Sequence, residues 1–335
     1  IINLNMKINI FFLIIALFLF SCRNDIPQQD KLQSVTYTYV SGIENGKACY
    51  WKNGVKTELI NGDHILGIKM FVQNNNVYVW GKSIYGTDCY WKNNVKYEVT
   101  QALNLQQNTP QIMFHKISGF TVDNDDVYFA GTVRTGTTSP VFELCYWKNG
   151  VKTVLKQITA DEMHTFHEII ISNSDVYVTD SDQLGNHGYY KNGVYHALPS
   201  GQLLKGIAAT STEAVILVQN NGTDDYFYQN LTTGNTILSF TSNQNIYGII
   251  TDNNDLYSLN LIGNGYHKNG TLVNINFAPL YDEVIDMKVI NNKKYMIISR
   301  DAAGIAGTKV ISDNIETQNI TSHSDGFYGI FTVPN

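Results

Sequence analysis

The chain has 335 residues and a formal net charge of −6, with 21 tyrosines, 26 glycines and only 6 prolines. An acidic chain without a basic tract does not suit nucleic acid, because phosphate binding needs clustered lysine and arginine. No long stretch shows the period of 3.6 residues that marks an amphipathic helix. The sequence therefore predicts an all-β protein that binds no nucleic acid, and it contains no cofactor signature.

The first segment has the features of a secretory signal. Met6 and Lys7 precede an uncharged run from Ile10 to Phe20. This run has the length of a signal-peptide core and is shorter than the ~20 apolar residues of a membrane-spanning helix. We interpret residues 1–21 as a signal peptide, with residues 1–5 upstream of the true start.

The signal ends in Leu19-Phe20-Ser21-Cys22. This sequence resembles a bacterial lipobox, in which the cysteine becomes lipidated and N-terminal. The resemblance implies a lipid anchor on Cys22, followed by a polar tether over residues 22–33. An ordinary secretory signal with a chance cysteine is the alternative. Lipidation would hold the chain on a membrane without spanning it.

One six-residue phrase then occurs three times. CYWKNG stands at 49–54 and 145–150, and CYWKNN stands at 89–94. Asn-Gly between apolar-alternating runs is the strongest short hairpin signal, because both turn residues need positive φ. The turn has seven copies along the chain, of which the fifth and seventh are degenerate: Asn53-Gly54, Asn93-Asn94, Asn149-Gly150, Asn192-Gly193, Thr233-Gly234, Asn269-Gly270 and Asp313-Asn314.

Each copy contains four strand-like runs, which we name a, b, c and d in chain order. In the third copy they are residues 116–122, 126–131, 143–147 and 151–155. Tight turns rich in Asn and Asp join a to b. Four antiparallel strands repeated every 40 to 50 residues are typical of β-propeller blades. We therefore predict a seven-bladed β-propeller over residues 34–335, with six or eight blades as the alternatives.

The two ends of the repeat array complement each other. The first copy begins with a b strand at 35–42 and lacks an a strand. After the last d strand the chain adds GFYGIFTV (326–333), which matches the a strands of other copies. We expect this C-terminal strand to complete the first blade and close the ring, which removes an exposed strand edge.

With these repeats the chain resembles bacterial secreted or lipid-anchored β-propellers with YWKNG-type repeats. The resemblance covers nearly all of the chain after the signal. It implies a monomeric propeller in the bacterial cell envelope, attached to the membrane by its lipid. Arg23 differs from the aspartate of an inner-membrane retention signal, so we expect an outer membrane lipoprotein. The resemblance implies no single activity, because propellers serve as enzymes, sensors and scaffolds.

Within the phrase, the aromatic residue of the c strand recurs at equivalent places in four blades. These residues are Trp51, Trp91, Trp147 and Tyr190. We predict that they pack between blades, because an aromatic platform for a ligand would need them gathered at one site. The lysine before each turn is interpreted as a solvated turn residue with a packed stem. Cys49, Cys89 and Cys145 are interpreted as small buried hydrophobes, since equivalent points on adjacent blades lie beyond disulfide reach.

A functional site is expected on the face that carries the d–a and b–c loops, here named the loop face. The opposite face carries only the tight a–b and c–d turns, and we name it the turn face. The irregular loops 100–114, 131–143 and 156–166 lie on the loop face, and six of the eight histidines fall in or beside d–a or b–c loops. The residues predicted to form a binding rim there are His64, His115, Arg134, His164, His167 and His187. The alternative is that these histidines are ordinary polar loop residues.

The chemistry of this rim stays open from the sequence. A metal site is not expected at His164 and His167, because residues i and i+3 of a strand point to opposite faces. No nucleophile elbow, phosphate loop or zinc-protease motif occurs. We therefore predict a non-catalytic protein that binds a protein or glycan through the loop face. The alternative is a hydrolase or lyase acting on extracellular polysaccharide or peptide, with histidines and carboxylates as acid and base.

Overall fold

Seven four-stranded antiparallel sheets form the blades of a β-propeller. The structure is a computed structural model that describes residues 36–83, 87–136, 140–182, 185–210, 212–260, 265–275, 283–302, 305–321 and 325–334. Cys22 and the predicted signal and tether lie outside these residues. The propeller itself comprises Tyr37–Val333. No helix in the described ranges has the length and apolar character needed to cross a membrane.

Blades 1 to 4 run from the innermost to the outermost strand in the order a, b, c, d. Blade 1 contains β28 (Gly326–Pro334), β1 (Thr36–Glu44), β2 (Lys47–Lys52) and β3 (Val55–Asp63). Blade 2 contains β4 (Ile65–Gln73), β5 (Asn76–Ser83), β6 (Asp88–Lys92) and β7 (Val95–Glu98). Blade 3 contains β8 (His115–Asp123), β9 (Asp126–Thr135), β10 (Val141–Lys148) and β11 (Val151–Ile158). Blade 4 contains β12 (Ile169–Ser172), β13 (Asp175–Ser181), β14 (His187–Lys191) and β15 (Val194–Ala197).

The remaining blades repeat the same order. Blade 5 contains β16 (Gln202–Ala209), β17 (Ala214–Asn220), β18 (Asp225–Asn230) and β19 (Thr236–Thr241). Blade 6 contains β20 (Ile246–Asp252), β21 (Asp255–Asn260), β22 (Gly265–Lys268) and β23 (Thr271–Asn274). Blade 7 contains β24 (Glu283–Ile290), β25 (Lys293–Ala302), β26 (Ile305–Ser312) and β27 (Ile315–Ile320). A short helix α1 (Val99–Ala102) and a 3₁₀ turn η1 (Asp161–His164) lie in the d–a connections around blade 3.

The ring closes as the sequence predicts. β28 pairs with β1 as the innermost strand of blade 1. The buried Phe327 of β28 packs edge-on against Trp51, with 5.0 Å between the ring centroids. Gly42 allows the close approach of the two strands, because a Cβ there would lie 2.3 Å from the Gly326 carbonyl oxygen. Seven blades and closure by the C-terminal strand are therefore confirmed.

The hydrophobic core is divided among the interfaces between neighbouring blades. An apolar cluster fills each of the seven interfaces, including the one between blades 7 and 1. The aromatic residues of the repeated phrase are buried in four of these clusters: Trp51, Trp91, Trp147 and Tyr190. Each packs against the preceding blade, so the phrase joins neighbouring blades rather than forming a platform.

The turn after each c strand also clamps the b strand beside it. In blade 3, Asn149 has φ 48° and Gly150 has φ 82°, which places both in the left-handed region. The Asn149 side chain accepts a hydrogen bond from Val127 N–H (2.9 Å) and donates one to Asp126 (2.6 Å). The same acceptor geometry occurs at the turns of five further blades, through the side chains of Asn53, Asn93, Asn192, Asn269 and Asp313. The asparagine is therefore required twice, for its backbone conformation and for its side chain.

The lysine before the turn completes this clamp. Lys148 Nζ lies 2.8 Å from the Asp126 carboxylate and 5.4 Å from the centroid of the Tyr128 ring. Hydrogen bonding to Lys148 lowers the pKa of Asp126, and the same bond raises the pKa of the lysine. Blades 4 and 6 repeat the arrangement with two further lysine–aspartate pairs: Lys191 with Asp175 and Lys268 with Asp255. These lysines are exposed or half-buried residues of the turn face, and each is paired with a carboxylate of its own blade.

The cysteines of the phrase are free thiols in the interior. Cys49, Cys89 and Cys145 are all buried, and none forms a disulfide. Burial raises the pKa of Cys49 to about 11 and the pKa of Cys89 and Cys145 to about 12. Because the thiolate is the reactive form, these are inert packing residues.

Two predicted loops differ in part from the structure. β11 extends to Ile158, so residues 156–158 of the loop expected at 156–166 belong to a strand. Residues 131–143 were expected to form a b–c loop, but β9 extends to Thr135 and β10 starts at Val141. Arg134 and Phe142 pair across this extension. The alternation of Thr132, Val133 and Arg134 is a strand pattern, and the Gly and Thr residues around it conceal that pattern in the sequence.

Candidate functional site: the channel mouth on the loop face

The d–a connection between β7 and β8 is held together by one asparagine. Asn108 Oδ1 accepts hydrogen bonds from the N–H groups of Phe114 (2.7 Å) and His115 (3.0 Å), and its amide donates to the His115 carbonyl (3.0 Å). The His115 ring is buried, and its Nδ1 lies 2.9 Å from the Gln106 carbonyl. Burial lowers the pKa of His115, so the ring is neutral near pH 7 and supports the loop.

The next d–a connection brings η1 towards the channel. Glu162 accepts a hydrogen bond from Thr159 N–H (2.6 Å) and fixes the start of this turn. After it, the buried His167 places Nδ1 2.9 Å from the Thr179 carbonyl and Nε2 2.7 Å from the Thr165 hydroxyl. Burial lowers the pKa of His167, so a neutral ring donates from Nδ1 to Thr179. Both ring nitrogens are thus engaged, and the histidine fixes the positions of its neighbours Phe166 and Glu168.

A cavity of about 600 Å³ opens at this point on the loop face, and we name it the mouth cavity. Residues of blades 1 to 4 line it. Its cationic and aromatic lining residues are Lys69, Lys82, Lys116, Trp80, Phe166 and Tyr328. This volume is within the range of ordinary ligand sites, and its mixture of aromatic and charged groups is typical of them.

Two of these side chains meet across the rim of the mouth cavity. Phe166 is 75% exposed, which is unusual for a phenylalanine in a folded domain. Lys116 Nζ lies 3.6 Å from the centroid of the Phe166 ring and donates to the His164 carbonyl. Burial lowers the pKa of Lys116, and the positive charge of Lys82 lowers it further. The rim therefore combines an exposed ring with two mutually repelling ammonium groups.

Lys82 is held beside a buried acid. Its Nζ lies 3.8 Å from the carboxylate of Asp88, whose side chain is 1% exposed. Burial raises the pKa of Asp88 to about 6, and Lys82 opposes part of that rise. This separation is longer than that of a hydrogen-bonded pair, so the charge of Lys82 is only partly compensated.

The mouth cavity continues into the central channel. Two further cavities, of about 350 and 280 Å³, share Lys69 and Glu168 with it and add Phe71 and Lys288. Glu168 reaches the channel water but is enclosed by protein, which raises the pKa of its carboxyl group, while Lys69 opposes the rise. Charged groups therefore line the passage from the mouth inward.

One position of the inner a-strand segments differs in character between blades. It lies four residues before the last a-strand residue in blades 2, 3, 4, 6 and 7, and three residues before it in blade 5. In blades 2 to 7 its occupants are Lys69, Gly119, Glu168, Gly206, Gly248 and Asp286. A Cβ on Gly206 would lie 2.8 Å from the Gly248 Cα, so glycine is needed where these two blades approach each other. The charged occupants are the departures from this pattern.

The predicted rim residues occupy different surroundings. His167 lines the mouth cavity, and His164 contributes its carbonyl to Lys116. His64 is an exposed single-residue link between β3 and β4, with φ 58°. The Arg134 guanidinium lies 5.7 Å from the Phe114 ring and 5.8 Å from the Phe142 ring.

His187 lines a separate cavity of about 510 Å³ between the outer strands of blades 3 and 4. Lys156 and Asp180 also line this cavity, 2.9 Å apart. In the described parts of the chain, no group of three or more His, Cys, Asp or Glu side chains could hold a metal ion.

Sequence reasoning did not single out the lysines and aromatic residues of the mouth cavity. The signal that identifies them is departure from the repeat. Trp80 stands where blades 3 and 4 have Ala130 and Thr179, and Lys69 stands where blade 3 has Gly119. Histidine content drew attention to the same face, but two of those histidines, His115 and His167, are buried supports.

Comparison with known proteins supports the fold and does not indicate a function. No family model matches the chain, and no curated protein matches it. A functionally unknown protein from Desulfotomaculum acetoxidans is similar over 89% of this chain and 99% of its own, with 14% identity and a TM-score of 0.53. The dihydro-heme d1 dehydrogenase NirN, in complex with DHE, is similar over 88% of this chain and 74% of its own, with 10% identity and a TM-score of 0.50.

A third structure is the acylaminoacyl peptidase of Pyrococcus horikoshii. It is similar over 84% of this chain and 52% of its own, with 8% identity and a TM-score of 0.50. At these identities the likeness concerns the fold alone. The class defined by fold and site is a seven-bladed β-propeller with a cavity at the loop-face mouth of its channel.

Proposed function

We propose that this chain is a non-catalytic binding protein of the bacterial cell envelope, anchored through a lipid on Cys22, that takes its ligand at the mouth cavity. The observation that carries the proposal is the convergence of three lysines and three aromatic side chains on one cavity of about 600 Å³. On the turn face, by contrast, three of the lysines before the turns are paired with a carboxylate of their own blade: Lys148, Lys191 and Lys268. The ligand is a glycan or a segment of a protein.

Two observations favour binding over hydrolysis. Glu168 is the one carboxylate in the described lining of the mouth cavity, whereas most glycoside hydrolases use a pair. Asp286 lies deeper in the channel, and its carboxylate oxygens accept the N–H groups of Met287 (2.8 Å) and Ile330 (2.9 Å). His167 has both nitrogens engaged, so it is a poor candidate for a general base.

Tryptophan emission gives a direct test. Trp51, Trp91 and Trp147 are at most 6% exposed, so Trp80 is the tryptophan that a ligand in the mouth cavity would perturb. The full chain is titrated with envelope polysaccharide and, separately, with envelope protein. We expect a saturable change in emission with one of them, lost in Trp80→Phe and weakened in Phe166→Ala.

A response that persists unchanged in both variants would place binding elsewhere and overturn the proposal. Each titration mixture is also analysed for cleaved polymer. Turnover that disappears in Glu168→Gln would overturn the non-catalytic assignment and favour the hydrolase or lyase. Trp147→Phe is the control, because it changes a tryptophan that lies in a blade interface.

A further inference from the structure

The lysines of this acidic chain divide into two groups. On the outer strands and at the turns, most lysines lie within 4 Å of a carboxylate, as in the pairs of Lys47 with Glu58 and Lys152 with Glu143. The lysines of the innermost strands differ, since no carboxylate of the described residues lies within that distance. These are Lys69, Lys116, Lys205 and Lys288.

Three of these lysines follow one continuous passage. Lys116 lies at the mouth cavity, Lys69 lines the mouth cavity and both channel cavities, and Lys288 lines the two channel cavities. Lys82 adds a further ammonium group at the mouth. A chain with a net charge of −6 thus places an excess of positive charge along its central passage. Clefts lined by one sign of charge concentrate ligands of the opposite sign.

Two acids, Glu168 and Asp286, line the described passage with four lysines, so they offset only part of that positive charge. Asp286 is hydrogen-bonded to two backbone N–H groups. Glu168 accepts a hydrogen bond from Ile207 N–H (3.3 Å) and lines the same cavities as Lys69, whose charge opposes the rise in the pKa of Glu168. Lys82 and Lys116 line the same cavity, and an anion bound between them would relieve the repulsion between their ammonium groups. Burial lowers the pKa of Lys116, and the charge of Lys82 lowers it further.

Apolar ring faces accompany the charges. Phe166 is exposed at the rim, and Trp80 and Tyr328 form part of the wall. Rigid aromatic faces beside charged donors suit a ligand that carries a flat apolar face and an acid group on one compact ring. A pyranose ring with a carboxylate or sulfate has this combination, and a short oligosaccharide matches the size of the cavity.

We propose, resting on the function proposed above, that the ligand of the mouth cavity is an acidic saccharide. Its carboxylate or sulfate would bind between Lys82 and Lys116, with a sugar face against Phe166 or Trp80. In an extended chain of such sugars, a following acid group would reach Lys69.

The test uses matched oligosaccharides. Trisaccharides of galacturonate, of glucuronate and of sulfated galactose are compared by calorimetry with their neutral counterparts, on the full chain. We expect at least one acidic probe to bind, its neutral counterpart to bind about tenfold or more weakly, and affinity to fall with added salt. The carboxylated and sulfated probes separate the two sources of the charge.

Single variants test which lysines bind the acid group of the probe. Lys116→Gln and Lys69→Gln should each weaken the acidic probe about tenfold and leave the weak binding of the neutral probe unchanged. Lys268→Gln is the control, because it removes a lysine of the turn face that is paired with Asp255. Circular dichroism and thermal unfolding establish that each variant is folded.

Two results would overturn the inference. One is equal binding of acidic and neutral probes, and the other is no binding of any acidic probe. Neither removes the proposed binding function, which fails instead if Trp80→Phe and Phe166→Ala leave the response to envelope material unchanged. The two proposals therefore fail on different measurements.

Discussion

The carboxyl groups on the two faces of the propeller have pKa values shifted in opposite directions. On the turn face, hydrogen bonds from Lys148 lower the pKa of Asp126, and the same pattern recurs at Asp175 and Asp255. On the loop face, enclosure raises the pKa of Asp88 and Glu168. The turn face compensates its charges internally, as an architectural element should. The loop face leaves charge uncompensated, as expected where a ligand supplies the missing partner.

The largest expected effect comes from opening the ring. Deletion of residues 326–335 removes β28 together with its buried side chains Phe327 and Ile330. It leaves β1 as an unpaired inner edge. We expect loss of cooperative unfolding and self-association through the exposed edge. Calorimetry and light scattering measure both. A monomeric truncated chain with an unchanged melting temperature would show that closure is dispensable.

Replacing one interface tryptophan separates packing from binding. Trp147 is fully buried between blades 2 and 3, so Trp147→Ala should lower the free energy of unfolding by about 3–5 kcal/mol. Trp80 is only partly buried, and Trp80→Ala should cost less stability but abolish binding at the mouth. Denaturant titrations and binding isotherms are compared for both. Equal stability losses with equal loss of binding would contradict the separation between packing at the blade interface and binding at the mouth cavity.

The asparagine clamp should have an intermediate effect. Asn149→Ala loses two side-chain hydrogen bonds and places alanine at φ 48°. We expect a loss of about 2–3 kcal/mol in the free energy of unfolding. Asn149→Gly keeps the backbone conformation accessible and should lose about half as much. Equal losses in the two variants would show that backbone conformation contributes little here.

The smallest expected effect is a difference between the two faces in how their aspartates change protein stability with pH. The pKa of Asp88 is about 6 in the folded protein, which is higher than in the unfolded chain. Because the folded protein therefore binds this proton more tightly, Asp88 lowers the free energy of unfolding as the pH rises from 4 to 7. Asp126 has a lowered pKa, so its stabilising contribution is present above pH ~4 and is lost as the pH falls through the folded pKa. Relative to the unmodified protein, Asp88→Asn should therefore gain about 2 kcal/mol between pH 4 and 7.

Unfolding curves measured at several pH values check this effect. The matched variant Asp126→Asn should behave in the opposite sense and lose its difference from the unmodified protein in acid. Parallel pH profiles for Asp88→Asn and the unmodified protein would contradict the raised pKa of this buried carboxyl group.

Much of the architecture could be predicted because the repeat reports it directly. The Asn-Gly turns, the missing a strand of the first copy and its replacement at 326–333 together determine seven blades and a closed ring. The burial of Trp51, Trp91 and Trp147 follows from their equivalent places in successive copies. Each of these features depends on local turn chemistry or on period-two alternation, both of which can be read from the sequence.

The site could be predicted only as far as its face. Period-two alternation does not show which a-strand position faces the axis, so Lys69 and Lys116 looked like ordinary strand lysines. The curvature that brings Phe166, Trp80 and Tyr328 together comes from ring closure across four blades. His115 and His167 were conspicuous in sequence, yet their hydrogen bonds to Gln106 and Thr179 assign them to loop support. Departures from the repeat on the inner strands are the better guide.

Amide hydrogen exchange with and without envelope polysaccharide tests the division between the two faces most directly. We predict that the polysaccharide protects amides of segments 80–82, 116–118 and 166–168, which line the mouth cavity. The c–d turns at 53–54, 149–150 and 192–193 should exchange at unchanged rates. Protection at these turns, with none at the mouth, would contradict the assignment of binding to the loop face.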